Sequence, residues 1–375
     1  MTKICHITTV HSRYDTRIFY KECSTLAKAG FDTTLLVSDI KQDEVLFDVK
    51  IKSIGDKPLS RVQRILKSSS KVFDEAVRIN AEIYHLHDPE LLPIGLKLKK
   101  TGKSVIFDSH EDIPSDIMDK QWIPKPLRSM ISRVYSLYEK RVLKRLDAIV
   151  SVTPHLTKRL QSINENTIEI TNYPILREIQ QARNKEKAIC FAGNIKREYN
   201  HHLILEALDQ LGGIKYILAG QGDPAYIEEL KQMKGWKYVE YLGLIPVNNV
   251  YDIYSRSCAG ISVHQYSNNV GGKEGSLGII KNYEFLMSGI PIITTDFSIW
   301  EDIIQRYECG ICISPQDVNA IASAIRFLIE NPDTAQSMGY KGRKAVEEEY
   351  NWGTQEVKLI KMYEDIIKQR GRDSY

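Results

Sequence analysis

Two stretches of the sequence combine residue types and spacing suited to binding a diphosphate. Gly271-Gly272-Lys273-Glu274-Gly275-Ser276-Leu277-Gly278 opens a predicted helix over residues 279–287. Backbone N–H groups at a glycine-rich helix start form a cradle for phosphate oxygens. Lys281 lies one turn into that helix and Glu284 three residues further on. An ammonium and a carboxylate therefore sit on neighbouring faces, the carboxylate suited to accept from a ribose diol. The second stretch, His11-Ser12-Arg13-Tyr14-Asp15-Thr16-Arg17, follows the first apolar strand and precedes a helix. His11, Arg13, Asp15 and Arg17 there predict an anion-binding loop, because guanidinium groups grip phosphate with paired hydrogen bonds; the plain alternative is a solvated polar loop. No GxGxxG follows the first strand, and GxxxxGK followed by Ser or Thr is absent. The usual dinucleotide and P-loop readings are thereby removed.

The histidines and cysteines point to less. His85 and His87 flank Leu86 and project the same way at a strand end, but no third metal ligand is evident beside them. His201-His202 opens a helix and reads as surface; His264 ends a strand and is a candidate ligand contact. Six cysteines in 375 residues are no disulfide framework, and Cys309-Gly310-Ile311-Cys312 is a lone CxxC in an apolar run. No metal site is expected.

The elements that must position these residues alternate along the chain. Strand signals fall at 3–10, 33–37, 49–54, 82–87, 104–107, 148–152 and 167–170, with helices at 17–29, 60–80, 91–100 and about 125–145. Residues 174–187 break the pattern and form the best linker. The alternation restarts with strands at 188–192, 215–219, 238–242, 259–263, 290–294 and 310–313, each of the first two ending on glycine, Gly193 and Gly220. Such alternation predicts an α/β chain of two Rossmann-like, doubly wound parallel-sheet domains, residues 1–173 and 188–350, facing a central cleft. A last helix, 351–375, is expected to cross back to the first domain. Ligands of these folds sit beyond the carboxyl ends of the strands.

At this point the chain resembles the retaining family-four (group 1) glycosyltransferases, whose fold is GT-B. Glu284-Phe285-Leu286-Met287-Ser288-Gly289-Ile290-Pro291 is similar to that family's donor-site helix and turn. Tyr84-His85-Leu86-His87-Asp88, Phe107-Asp108-Ser109-His110-Glu111, Asn172-Tyr173-Pro174, Phe191-Ala192-Gly193 with Arg197, and Leu218-Ala219-Gly220-Gln221-Gly222 stand in register with further family motifs. The opening His11–Phe19 segment resembles a branch acting on bacterial surface polysaccharides. The resemblance implies that Glu284 binds the donor ribose, that Arg197 and Lys281 hold the diphosphate, and that His110 lies near the transferred sugar. The amides of Gly275–Gly278 would contact the sugar or diphosphate. Asn172 and the His11–Arg17 loop would belong to the acceptor side. Two departures stand out. Tyr199 occupies a position where the family has a second basic residue, leaving Lys281 or Lys196 as substitute. Ser276, eight residues before Glu284, replaces the family's first glutamate, with Glu274 ten residues before as a stand-in.

The implied reaction moves a sugar from a nucleoside-diphosphate sugar, with uracil favoured as base, to a glycan or lipid-linked acceptor. No cofactor or metal is implied, since Arg and Lys supply positive charge and no DxD-type motif appears. Two other classes stay open: a nucleotide-sugar epimerase of the same fold, and a partner subunit that binds donor without turnover.

Charge is uneven. Residues 1–172 carry 28 Lys+Arg and 22 Asp+Glu; residues 173–375 carry 23 and 26. The basic half suits an anionic partner. Arg61, Arg64, Lys67 and Lys71 share a helical face, and residues 119–147 hold eight Lys+Arg against three acids, interleaved with Trp122, Ile123, Leu127, Met130, Ile131, Val134 and Leu137. That pattern reads either as a core-facing helix with a solvated side or as a helix lying on an anionic membrane surface. Nucleic acid is not an expected partner, because no recognised binding fold appears. No run reaches the roughly 18 apolar residues of a membrane helix, and the first residues run directly into a strand rather than a signal-peptide core. The expected location is cytoplasmic, with peripheral attachment to the inner face of the membrane as an option.

Overall fold

The structure, a computed structural model, describes residues 1–55, 69–120, 123–179, 185–267 and 270–373. It divides into two compact units, Met1–Asn172 with Trp352–Tyr375, and Tyr173–Asn351.

The first unit is built on an eight-stranded sheet. Its strands are β1 (Lys3–Thr8), β2 (Asp32–Val37), β3 (Glu44–Leu46), β4 (Val49–Ser53), β5 (Ile83–Leu86), β6 (Ser104–Ser109), β7 (Ala148–Ser151) and β8 (Thr167–Glu169), in the order β3-β4-β2-β1-β5-β6-β7-β8. All neighbours are parallel except β3, which runs antiparallel to β4. The sequence reading contains no β3. Its hairpin turn is Phe47-Asp48, with φ of 51° and 61°, so both central residues are left-handed, as the tight two-residue hairpin requires. Phe-Asp lacks the glycine or asparagine that announces such a turn. Strands β1, β5, β6 and β7 are buried along nearly their whole length, as strands covered on both faces must be. The helix Trp352–Asp373 buries Trp352, Leu359, Met362, Tyr363 and Ile366 with Ile4, Leu26, Ile83, Ile106 and Val150 of this unit. The helix read at 60–80 is described as Ser69–Ile79; Arg61, Arg64 and Lys67, like Trp122, lie outside the described residues.

The second unit carries a six-stranded parallel sheet. β9 (Ala188–Ala192), β10 (Lys215–Ala219), β11 (Val239–Gly243), β12 (Ala259–Ser262), β13 (Ile292–Thr295) and β14 (Gly310–Ile313) lie in the order β11-β10-β9-β12-β13-β14. Its core gathers Phe191, Tyr216, Tyr254, Tyr283, Phe285 and Trp300, all nearly inaccessible. Each sheet reverses its winding once, between β1 and β5 in the first unit and between β9 and β12 in the second. The carboxyl ends of those strand pairs are where this architecture binds ligands.

Candidate functional site

In the second unit, glycines bring the β9 and β10 ends together and leave room beside them for a helix side chain. A Cβ on Gly220, at φ +126°, would stand 1.8 Å from the Gly193 carbonyl oxygen. The β9 and β10 ends therefore approach this closely only because residue 220 carries no side chain. A Cβ on Gly193 would approach Lys281 Cε to 3.0 Å, so the Lys281 side chain runs along the end of β9. Lys281 stands on the helix Ile280–Met287, and its ammonium donates to Glu284 Oε2 at 2.6 Å. Tyr254 donates to the same oxygen at 3.2 Å. Burial and the nearby Glu284 charge push the Tyr254 pKa well up, so its hydroxyl remains a donor.

The glycine-rich loop leads into this helix with left-handed glycines at 271, 272 and 275. A Cβ on Gly275 would stand 2.4 Å from Phe297 Cβ. Ser276 holds the loop, its Oγ accepting from the Gly278 amide at 2.9 Å and its carbonyl from Trp300 at 3.1 Å. Leu277 is half-buried against the core. Glu274 is exposed and forms no side-chain hydrogen bond or ion pair among the described residues.

The β9 loop holds the remaining donor candidates. Arg197 is exposed and paired with Glu229 through both guanidinium nitrogens; the same group lies 4.5 Å from the Tyr226 ring. Lys196 has no carboxylate partner among the described residues, and its ammonium lies 5.9 Å from the Tyr199 ring. With Asn194, Gln221, Gly222 and Asp223, these residues line a cavity of about 470 Å³ over the β9 and β10 ends. Tyr199 packs against His264 with ring centroids 4.2 Å apart and the rings tilted by 43°. Burial, then Lys196, brings the His264 pKa down to about 4. His201, expected at the surface, is fully buried, shares a hydrogen bond with Tyr216 at 2.9 Å, and has its pKa brought to about 3 by desolvation. A helix start facing a strand buries its first side chain.

In the first unit, the loops after β1, β5 and β6 line a cavity of about 380 Å³ containing His11, His87, Asp88, Asp108, His110, Glu111 and Lys120. His11 and His110 face each other with ring centroids 5.0 Å apart. Burial draws the His11 pKa down, but the Asp15 hydrogen bond and the Asp88 charge outweigh it and raise the value. Asp88 takes hydrogen bonds from Thr8 and from the Thr9 and Val10 amides, pinning the loop. Asp15 caps the following helix through the Arg17 and Ile18 amides at 2.8 and 3.0 Å.

The two arginines of this loop are not where an anion site needs them. Arg13 is buried, donating to both Asp39 oxygens at 2.7 Å and to Glu44 at 2.9 Å. Arg17 is buried against Asp108 at 2.8 and 3.0 Å and donates to the Ile170 carbonyl at 2.9 Å. Both charges are consumed internally by partners remote in sequence. Asn172 likewise faces inward, accepting from Lys21 through its carbonyl at 3.2 Å. Burial opposes ionisation of Asp108, but Arg17 and then His110, 2.8 Å away, hold its carboxyl well below the usual range. His6 and Glu22 join His85 and His87 in a buried group of four.

Two doubly wound sheets, each presenting polar loops at its switch point, define a GT-B chain. Comparison with known proteins agrees. The family described as Glycosyl transferases group 1 matches residues 172–345, and Glycosyltransferase Family 4 matches residues 16–172. The chain belongs to the group 1 glycosyltransferases. It is 17% identical over 257 residues to a glycogen synthase of Mycobacterium tuberculosis, covering 64% of this chain and 59% of that protein. The match thus spans about three fifths of that relative's length. It is 18% identical over 339 residues to the O-antigen chain mannosyltransferase C of Escherichia coli, covering 87% of this chain and 85% of the relative. Sucrose-phosphate synthase from Thermosynechococcus elongatus superposes with a TM-score of 0.78 at 16% identity, covering 98% of this chain and all of that one. The Anabaena protein HepE, solved with UDP and glucose, superposes at 0.72 with 11% identity, covering 97% and 100%. Among the described residues no helix is long and apolar enough to cross a membrane.

Proposed function

We propose that this chain is a retaining, metal-independent glycosyltransferase that moves a sugar from a nucleoside-diphosphate sugar to a glycan or lipid-linked acceptor in bacterial cell-surface polysaccharide synthesis. The observation that carries the reading is the Lys281–Glu284 couple, seated against the glycine-held end of β9. Glu284, oriented by Tyr254, accepts from the donor ribose. Lys281 and Lys196, with the amides of the 275–278 loop, face the diphosphate. Cleavage of the sugar–phosphate bond places negative charge on the leaving diphosphate, and fixed cations and amides stabilise it without reorganising. Arg197 joins them by releasing Glu229. Gly193, Gly220, Tyr199 and His264 shape the donor pocket, and Glu274 takes over contact with sugar hydroxyls. UDP is the favoured carrier, supported by the UDP complex of a protein with the same fold.

His11 and His110 line the acceptor side in the first unit, with His110 near the transferred sugar. The helix Lys125–Leu143 supports a lipid-linked acceptor at an anionic membrane. Met130, Val134 and Leu137 lie on one helical face and are 56%, 63% and 71% exposed, beside Lys125, Arg128, Arg133, Lys140 and Arg141. An uncovered apolar stripe flanked by cations suits a lipid interface. The chain then works on the cytoplasmic side.

One observation favours a second reading, a donor-binding partner without turnover. Tyr199 and Ser276 replace a cation and a carboxylate, and Arg197 is engaged by Glu229. Nucleoside-diphosphate release from UDP-, GDP- and ADP-sugars across an acceptor panel decides. Turnover that is lost in Glu284→Ala supports the transferase; donor binding with no turnover on any acceptor supports the partner.

A further inference from the structure

The first unit buries four metal-ligating side chains around one point. His6 lies on β1 opposite His85 of β5 in the parallel register, and His87 follows two residues later. Glu22 reaches them from the π-type turn Thr16–Cys23 that precedes the helix Ser24–Lys28. His6, Glu22 and His85 are fully inaccessible and His87 is nearly so. The Glu22 Oε2 atom lies 3.8 Å from His6 Nδ1, 3.8 Å from His87 Nε2 and 4.0 Å from His85 Nδ1. His6 Nδ1 and His87 Nε2 are 2.9 Å apart. Four ligands bound tetrahedrally at about 2.0–2.2 Å stand about 3.3–3.6 Å from one another, so these four separations each come within about half an ångström of that spacing, and all the ligand atoms lie within 4.8 Å of one another.

We propose that these four residues, His6, Glu22, His85 and His87, hold a structural divalent transition metal, zinc by ligand type. Three imidazoles and a carboxylate match zinc's preference, and no cysteine belongs to the group. A second, independent observation points to a ligand. Neither oxygen of the buried Glu22 carboxyl accepts a hydrogen bond among the described residues. Arg17 Nε lies 3.1 Å from Oε1, but the guanidinium is directed at Asp108. Arg17 thus offsets part of the charge at Oε1, while Oε2 is turned toward the three imidazoles, the side on which a cation would sit. Outer groups stand beside two of the three histidines: the Tyr363 hydroxyl is 3.2 Å from His6 Nε2, and Asp108 Oδ2 is 3.4 Å from His87 Nδ1, while His85 Nε2 has no hydrogen-bond partner among the described residues. The Tyr363 hydroxyl is also 2.8 Å from His85 Nδ1 and moves to His6 alone when that nitrogen ligates. The bound ion ties β1, β5 and the helix entrance together behind the helix Trp352–Asp373. It takes no part in donor binding, so the proposal stands apart from the transfer reaction.

The test is elemental analysis of the full chain, purified without a polyhistidine tag from zinc-supplemented cells. The expected result is about one zinc per chain, a fall in Tm of about 5 °C or more on chelation, and its recovery with zinc. Cobalt exchanged into the site should give ligand-field bands of a four-coordinate nitrogen and oxygen site with no thiolate charge-transfer band. Glu22→Gln and His85→Asn should each lower the zinc content about tenfold or more. Less than about 0.1 metal per chain in the unaltered protein, with no zinc-dependent rise in Tm, would overturn the proposal. So would full zinc content in both variants, or a thiolate band, which would put the metal elsewhere. Should a variant fail to fold, the metal content and cobalt spectrum of the unaltered chain still decide.

Discussion

Lys281 donates to Glu284 across one helical turn at 2.6 Å, and the Lys281 side chain runs along the end of β9 where Gly193 leaves room for it. Under the transferase reading, the cation faces the leaving diphosphate and the carboxylate faces the ribose. Glu284→Ala and Lys281→Ala should each lower nucleoside-diphosphate release by about 100-fold or more, the loss of one aligned charged partner. Steady-state kinetics with saturating acceptor measure it; turnover within twofold of the unaltered protein would remove both residues from the site.

Tyr254 positions Glu284 from a fully buried ring. Tyr254→Phe deletes one hydrogen bond to the carboxylate and keeps the packing. The expected change is a rise of about tenfold in donor KM with kcat little altered. An equal fall in kcat and kcat/KM would place Tyr254 in the chemical step instead.

Arg17 and Asp108 form a buried pair, so Arg17 contributes to stability rather than to anion capture. Arg17→Met strands Asp108 and should cost about 3–5 kcal/mol in urea unfolding. Donor KM should change little in the folded fraction. Unchanged stability with weakened phosphate binding would restore the anion-loop role read from the sequence.

Acid should loosen the second unit. The His264 and His201 pKa values fall from 6.5 to about 4 and about 3 because burial disfavours their charged forms. The unfolded chain binds those protons first. Stability is therefore complete above pH 6.5 and is lost as pH falls toward the folded values, on the order of 3 kcal/mol for His264 and on the order of 5 kcal/mol for His201. Tm followed from pH 7.5 to 4.5 in the unaltered protein and in His201→Gln should show a shallower acid slope in the variant. Equal slopes would mean that neither burial nor the Tyr216 bond governs His201.

The exposed stripe on Lys125–Leu143 should direct vesicle binding. Val134→Glu with Leu137→Glu should abolish co-sedimentation with anionic vesicles, and raised salt should weaken it in the unaltered protein. Binding that ignores both changes would assign the attachment elsewhere.

The strand–helix alternation, the glycine-rich loop and the Lys281–Glu284 spacing were legible because each depends on residues close in sequence. Partners remote in sequence were not. Arg13 meets Asp39 and Glu44, and Arg17 meets Asp108, 91 residues away. No local pattern separates such an arginine from a free phosphate ligand. The β3–β4 hairpin was hidden because its left-handed turn is made by Phe47 and Asp48. His6 and Glu22 joined His85 and His87 only once the β1–β5 register was known. His201 reads as solvated because its helix opens with two polar residues, and its burial rests on contacts with Phe191 and the Tyr216 hydroxyl that the sequence does not show.

The central claim is donor binding by the second unit through Glu284. Calorimetric titration of the purified chain with UDP and UDP-sugars, beside GDP and ADP counterparts, tests it most directly. The expected result is saturable binding of one nucleotide and its sugar conjugates, weakened about tenfold or more in Glu284→Ala. No binding of any nucleotide, or equal affinity in the variant, would contradict it.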